Sequence, residues 1–573
     1  MSKRVLLVAS AALILAILAV YVLRPETGAP AGAPTLDAMA GGVGAPLMEH
    51  IHRGHVPGRS GEIMTVPKPY RYLIGEWDLT TLGTSQPWLA SSHPNPWAYL
   101  ARVPIVLYGP GYVPQGREVT RTTDISGLAP TFASLVGLDG FEADGEPYPE
   151  IVDGAKTKPP KVIFTLVIDG GGWNVLQRFP DSWPAIARLR EEGTIYLNGT
   201  IGSAPSITGA LHATFGTGSY PVTHGMPGNQ MRTPEGPIED VWLQNADPRY
   251  LEIPTVSELW DEANDNRATV ATVSYEGWHL GMIGHGAQRE GGDKDLAALW
   301  EAEENKWWTN EDYYTLPESL ATTDLATLES YEEELDERDG VPDGLWFGNT
   351  LEALQEDTVR PGTPAFVRFT GDAAVDMLWD ESIGTDDVTD LMWVEMKAPD
   401  YAGHAWNMEN PEVGDVLYET DRQLARFKAA LDAKVGKGNY VIAVSADHGQ
   451  QPIPETYGGW RINTSEFERD IQSRFGDVVE KITTVDIFID DDALQSEGVS
   501  MDDIASFIGT YTIGENIPEG APGSDLVPKG RLNETLFAGA FSTDYLQNLT
   551  PEKIESFGPG DYSEGDMTVG DEG

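Results

Sequence analysis

The run Val162-Ile-Phe-Thr-Leu-Val-Ile168 is almost unbroken in its apolar character, and Asp169 and three glycines follow it. A strand with one wet face alternates polar and apolar residues; a strand covered on both faces does not. This run predicts a buried parallel strand with a carboxylate at its C-terminal end. Thr269–Tyr275, Leu391–Met396 and Tyr440–Ser445 repeat the pattern, and the spacing predicts helices over Trp183–Glu192 and Glu412–Leu431. Strands alternating with helices predict an α/β fold, a mainly parallel sheet flanked by helices. Ligands of such sheets gather beyond the C-terminal strand ends. At those ends stand Asp169, Lys397-Ala-Pro-Asp400 and Ala446-Asp447-His448-Gly449.

The remaining chain divides by composition. Residues 1–24 read as a signal anchor or signal peptide, and residues 25–57 as a Gly/Pro/Ala-rich tether. A segment over 58–155 holds strands at Glu62–Val66 and Val103–Tyr108 and helical periodicity over Asp124–Gly137; Glu146–Pro160 reads as a linker. The main α/β domain spans 158–455, with an acidic, Trp-rich, irregular insertion near 301–385 placed to cover the site. A small α+β cap module follows over 456–515, then an acidic Pro/Gly-rich tail over 516–573 with a disordered end.

The 38 basic and 90 acidic residues give a formal charge of −52, which repels nucleic acid and anionic lipid surfaces. No nucleic-acid-binding surface is expected. The excess is spread along the chain, as on a solvated surface. Cysteine is absent, which excludes disulfides, thiolate metal sites and a thiol nucleophile. Lys3 and Arg4 precede the apolar stretch Val5–Leu23, just long enough to span a bilayer. The flanking charges and the lack of an Ala-x-Ala site predict a single membrane anchor with the rest of the chain outside the cell, or secretion if the segment is cleaved.

Ala204–Asn229 carries the most chemistry. Pro205 breaks what precedes it. Ser206 and Thr208 fall where a helix begins, Leu211, His212 and Phe215 continue it, and Gly216 and Gly218 end it. A hydroxyl there sits among unpaired N–H groups and the positive end of the dipole, which favours an alkoxide and any phosphate bound to it. The same position suits an ordinary N-cap. Asp400 and His404, four apart, share one helix face and can chelate one ion; adjacent Asp447 and His448 can serve two. Carboxylates and imidazoles without thiolates suit two divalent ions, zinc first, then manganese or iron.

The order Asp169-Gly, Thr208-x-x-x-His212-Ala, Gly216-Thr-Gly-x-Tyr-Pro-x-x-His-Gly225, Asp400-x-x-x-His404 and Asp447-His448-Gly449 resembles the alkaline phosphatase superfamily. It is nearest to the type I phosphodiesterase/nucleotide pyrophosphatases and to bacterial phosphatases with a threonine nucleophile. The resemblance implies Thr208 as nucleophile and as ligand of one zinc with Asp169, Asp447 and His448. It implies Asp400 and His404 on a second zinc and Asn229 on the phosphoryl group. One more histidine is required, normally downstream, and none follows His448. Ser92-His93-Pro-Asn-Pro-Trp-Ala-Tyr-Leu-Ala-Arg-Val-Pro-Ile-Val-Leu-Tyr-Gly-Pro-Gly111 resembles the family's C-terminal signature, and Arg59-Ser-Gly-Glu-Ile63 the strand before it. The resemblance therefore implies a circularly permuted catalytic domain in which His93 supplies the missing ligand. His50, His52 and His55 are rival ligands without the signature.

The resemblance further implies a phosphodiesterase or nucleotide pyrophosphatase acting on a small phosphate diester or nucleotide through a covalent phosphothreonine. Bacterial monoesterases of this group carry Lys-x-Arg where Glu276-Gly-Trp278 stands, and those cations pair with the extra oxygens of a monoester. An alkaline phosphomonoesterase and a non-catalytic surface binding protein are the alternatives. Ser206 is the rival nucleophile. His279 and His285 read as core or loop residues.

Overall fold

The computed structural model describes residues 28–84, 90–154, 156 and 158–562. The expected anchor over Val5–Leu23 lies outside them. Among the described residues no helix is long and apolar enough to cross a membrane.

The apolar runs assemble a nine-stranded sheet. In spatial order its strands are Lys306–Trp308, Leu296–Glu301, Val270–Ser274, Asp390–Met396, Val162–Ile168, Tyr440–Ser445, Ile105–Tyr108, Thr194–Tyr196 and Arg117–Val119. From Leu296–Glu301 to Tyr440–Ser445 the strands are mutually parallel. Ile105–Tyr108 runs antiparallel between Tyr440–Ser445 and Thr194–Tyr196.

The central strand shows why its sequence is unbroken. Val162, Phe164, Leu166 and Ile168 pack on one face, against helices Pro364–Asp380 and Pro411–Leu431. Ile163 and Val167 pack on the other, with Leu128–Val136, Thr208–Thr217 and Val256–Ala263. Each fully buried aliphatic side chain contributes about 1.5–3 kcal/mol. Helices on both faces leave the C-terminal strand ends open, and there the polar residues collect.

Several boundaries differ from the compositional reading. The insertion near 301–385 is not irregular: Pro364–Asp380 is a long helix whose buried side chains include Phe366, Val367, Phe369, Ala373, Ala374, Met377 and Leu378. Trp300, Trp307, Phe366 and Phe369 pack ring against ring beneath it. The insertion belongs to the helical layer. Arg338 ties it to helix Pro411–Leu431 through Asp415 and Glu419.

The tether over 25–57 is folded as well. Leu36–Val43 and Ala45–Gly54 are helices, and Leu36, Met39, Ala40 and Val43 form one buried stripe at helical spacing. Ala40 within the stripe and Ala38, Gly41 and Gly42 beside it gave the segment the composition of a linker. The tail over 516–573 contributes the strand Phe537–Ser542 and the helices Thr543–Gln547 and Pro551–Glu555. The linker holds the short helix Pro149–Val152 behind the fully buried Tyr148. The cap is therefore larger than 456–515. Its antiparallel sheet runs Val479–Ile482, Asp486–Ile489, Ile63–Pro67, Phe537–Ser542, so one strand precedes the main domain in sequence and three follow it.

Candidate active site

Helix Thr208–Thr217 presents the hydroxyl. Ile207 caps it in an extended conformation, and Gly218 ends it at φ 70°, returning its N–H to the Thr214 carbonyl. Every residue of the helix is buried. Thr208 is its first residue, and its Oγ1 lies 3.5 Å from Lys397 Nζ. The rival hydroxyl is turned elsewhere: Ser206 donates to the Asn95 carbonyl at 2.8 Å, and its own carbonyl accepts from His93 Nδ1 at 2.7 Å. Asn229 is pinned to the same helix end, its Oδ1 accepting the Gly209 N–H at 2.8 Å.

The strand ends bring the remaining expected residues together. Asp169 follows Val162–Ile168, and Asp447 and His448 follow the neighbouring strand Tyr440–Ser445. Asp169 Oδ1 and Asp447 Oδ2 lie 3.4 and 3.2 Å from His448 Nε2. None of these buried atoms has a hydrogen-bond partner. On the adjoining helix Ala398–Trp406, Asp400 and His404 are one turn apart. His404 Nε2 and His93 Nε2 each lie 3.3 Å from Asp400 Oδ1. His93 stacks on His448 with ring centroids 3.5 Å apart, so the two clusters adjoin.

The residues fit divalent cations on two counts. Ligands about 2.0–2.1 Å from a tetrahedral ion stand roughly 3.3 Å apart, which is the spacing of Asp169 Oδ1 and Asp447 Oδ2 from His448 Nε2 and of His93 and His404 Nε2 from Asp400 Oδ1, and ligand atoms of His93, Asp400 and His448 lie within 4.8 Å of one another. The imidazoles are also oriented as ligands. His93, His404 and His448 each give Nδ1–H to a backbone carbonyl, of Ser206, Ser91 and Gly449, at 2.7, 2.7 and 3.0 Å. A carbonyl only accepts, so the proton is on Nδ1 and the Nε2 lone pair faces the carboxylates. The rivals do not join: His55 Nε2 bonds the Thr543 hydroxyl at 2.6 Å, and neither His50 nor His52 enters any cluster of ligating atoms among the described residues.

The structure adds residues that sequence reasoning left aside. Lys397 Nζ stands 2.8 Å from Asp400 Oδ2 and 2.9 Å from Asp169 Oδ2. Burial opposes its charge, but Asp169 and Asp400 hold its pKa well above the usual lysine range. Burial likewise works against the Asp169 carboxylate, and Lys397 overrides it, holding the group below the carboxylate range. Burial and the neighbouring Asp169 push Glu395 and Asp447 the other way, well up. Glu395 was visible as a lone charge inside the apolar run Leu391–Met396. Lys397 had no comparable signal, because a lysine after a strand is ordinarily solvated. Gln450 holds Asp400 Oδ1 at 2.5 Å.

His279 is a buried residue, as expected, and it adjoins the centre. Its Nε2 lies 3.5 Å from Asp169 Oδ2 and 3.7 Å from Glu395 Oε1, and potential ligand atoms of His279, Asp169 and His212 lie within 4.8 Å of one another. His285 is structural, held by Glu258 and the Leu251 carbonyl, both at 2.9 Å. A cleft of about 360 Å³ opens on the centre; its walls include His93, Asn229, Trp278 and His404. Thr483, Thr484 and Asp486 of the cap complete it, so the cap borders the cleft, and no residue of the 301–385 insertion lines it.

This parallel sheet, with a helix-borne threonine and adjoining Asp/His clusters at its C-terminal edge, defines a hydrolase of phosphoric esters in the alkaline phosphatase superfamily. Residues 163–493, more than half of the chain, match the family model for type I phosphodiesterase / nucleotide pyrophosphatase, and the chain belongs to that family. Alkaline phosphatase PafA of Elizabethkingia meningoseptica is 24% identical over 402 residues, 61% of this chain and 73% of the relative. Alkaline phosphatase PhoV of Synechococcus elongatus is 26% identical over 372 residues, 57% of this chain and 65% of the relative. A Myroides odoratus protein named calcium-transporting ATPase is 24% identical over 404 residues, 61% of this chain and 72% of the relative. The crystal structure of wild-type PafA shares the fold with a TM-score of 0.50 at 19% identity, covering 68% of this chain and 86% of that one.

Proposed function

We propose that the protein is a phosphodiesterase, acting on a small phosphate diester or nucleotide through a covalent phosphothreonine at Thr208. The observation that carries this reading is the placing of the Thr208 hydroxyl at a buried helix N-terminus, 3.5 Å from Lys397 Nζ, which itself reaches Asp169 and Asp400, while Ser206 faces away. Asp169, Thr208, Asp447 and His448 would hold one divalent cation, and Asp400, His404 and His93 the other. Zinc matches the donor set. When bound, the ions supply Lewis-acid activation of the hydroxyl and neutralise charge on the leaving oxygen.

The chain's own groups do the rest. Thr208 Oγ1 forms a bond to phosphorus as the bond to the leaving alcohol breaks. Water then displaces Thr208, giving a phosphomonoester and the free hydroxyl. The Asn229 amide and the N–H groups of the helix end hold the non-bridging oxygens. Lys397 keeps the Asp169 and Asp400 carboxylates ionised and oriented.

Glu276 supports a diester over a monoester. Burial pushes its carboxyl up to about 7, with Lys397 acting against that, and Tyr401 donates to it at 3.2 Å. A carboxyl there gives nothing to the second charge of a monoester. Comparing kcat/KM for bis-p-nitrophenyl and p-nitrophenyl phosphate tests this, and a strong monoester preference refutes it. The names of PafA and PhoV, together with the Lys397 cation, favour an alkaline phosphomonoesterase as the second reading.

Permuted chain order is part of the proposal. Its support is that Ile105–Tyr108 pairs beside Tyr440–Ser445 and that His93 reaches Asp400. The apolar stretch Val5–Leu23, flanked by Lys3 and Arg4, supports an enzyme exported from the cytoplasm, anchored or released.

A further inference from the structure

We propose a separate calcium-type cation site formed by Asp261, Asp293 and Asp295, none of which lines the catalytic cleft. Asp261 lies in the last turn of helix Val256–Ala263, and Asp293 and Asp295 lie just ahead of the strand Leu296–Glu301. Each offers a carboxylate oxygen, and the three oxygens lie within 4.8 Å of one another. Asp261 and Asp295 are 4% and 7% exposed, while Asp293 is open to solvent.

Asp295 points to a ligand. It is more than nine-tenths buried, with a carboxylate oxygen within 4.8 Å of those of Asp261 and Asp293, and its side chain takes part in no hydrogen bond or ion pair among the described residues. Asp261 accepts the Ala268 N–H at 2.8 Å through Oδ1, which leaves Oδ2 to the cluster. The basic side chains nearby are turned away. Lys294, between the two aspartates in sequence, donates to the Glu311 carbonyl. Arg289 pairs with Glu262, and Arg267 donates to the Asn264 carbonyl. Burial and the neighbouring carboxylates push Asp261 up to about 7 and Asp295 well up, so the group holds either shared protons or a cation. An all-oxygen set selects a hard ion, and calcium tolerates irregular geometry completed by water on the exposed Asp293 side. Bound there, the ion would clamp the Gly291–Asp295 loop to helix Val256–Ala263.

The test is calcium titration of the full chain with its catalytic centre saturated with zinc, read by equilibrium dialysis and by thermal unfolding. Wild-type protein is expected to bind one calcium with Kd on the order of 10⁻⁴ M and to gain Tm. Asp295→Asn should lose both responses, and the exposed Asp293→Asn should weaken binding about tenfold without a folding defect. Hydrolysis of bis-p-nitrophenyl phosphate reports that each variant is folded. No calcium bound by the wild type at millimolar levels, or wild-type affinity retained by the folded Asp293→Asn and Asp295→Asn variants, overturns the site.

Discussion

Replacing His93 with alanine removes one imidazole from the Asp400/His404 cluster and leaves two protein ligands. His93 Nε2 lies 3.3 Å from Asp400 Oδ1, at the separation of two ligands on one ion. Removing even an outer-shell partner of a metal ligand costs 10–100-fold in affinity, so losing a direct ligand should cost about 100-fold or more, roughly 2.7 kcal/mol. A second effect adds to it. His93 also holds the Ser206 carbonyl at 2.7 Å, two residues before Thr208. That hydrogen bond contributes about 1 kcal/mol and helps set the helix start. After dialysis, zinc measured by mass spectrometry should fall by about one ion per chain, and kcat/KM for bis-p-nitrophenyl phosphate by about 100-fold or more. Millimolar zinc should restore part of the rate. His52→Ala, in the rival group, should change neither quantity. Unaltered zinc content in His93→Ala, with kcat/KM within about threefold of wild type, would refute both the ligand and the permuted order.

Thr208→Ala should abolish the acid-stable phosphoenzyme seen by mass spectrometry and lower kcat by about 10³-fold or more, whereas Ser206→Ala should keep the phosphoenzyme; equal activity in wild type and Thr208→Ala refutes the nucleophile. Glu276→Lys should raise the monoester-to-diester ratio of kcat/KM by about tenfold, and an unchanged ratio removes Glu276 from the specificity argument. Arg338→Ala removes the cation shared by Asp415 and the fully buried Glu419, which keep Trp346 and the Arg422–Gln423 pair respectively, and should lower stability by about 1–3 kcal/mol in urea unfolding; no measurable loss would mean that the insertion is held by its aromatic packing alone. Burial depresses His55 to about 4 and His224 to about 3 from the ordinary 6.5. Both stay neutral in the fold while the unfolded chain takes up protons, so stability is complete above pH 6.5 and falls as pH drops toward 4. The loss reaches up to ~3 kcal/mol for His55. His55→Asn should flatten that part of the curve, and an identical pH profile refutes the assignment.

The parallel core was legible because burial on both faces demands unbroken apolar runs, and Val162–Ile168 shows that directly. As candidates, Asp169, Thr208, Asp400, Asp447 and His448 were legible because each follows such a strand or opens a helix at its edge, and His404 because it stands one helical turn after Asp400; local spacing carries that information. His93 was reachable only through its flanking signature. Glu395 could have been found from a charge in an otherwise apolar strand. The helices Leu36–Val43 and Ala45–Gly54 were hidden because small residues serve a buried stripe as well as they serve a linker. The tail strand Phe537–Ser542 was hidden because its partner, Ile63–Pro67, lies more than four hundred residues away, and no local pattern records such a pairing.

By itself, then, the sequence determined the α/β class and the chemical types of the site, since periodicity and residue identity are local properties. Only the tertiary structure decided which groups meet. It turned Ser206 toward Asn95 and left Thr208 facing the centre. It set Lys397 between Asp169 and Asp400 and His279 beside Asp169. Those choices follow from packing and from the pairing of buried charges across distant segments, and both exist only once the chain is folded.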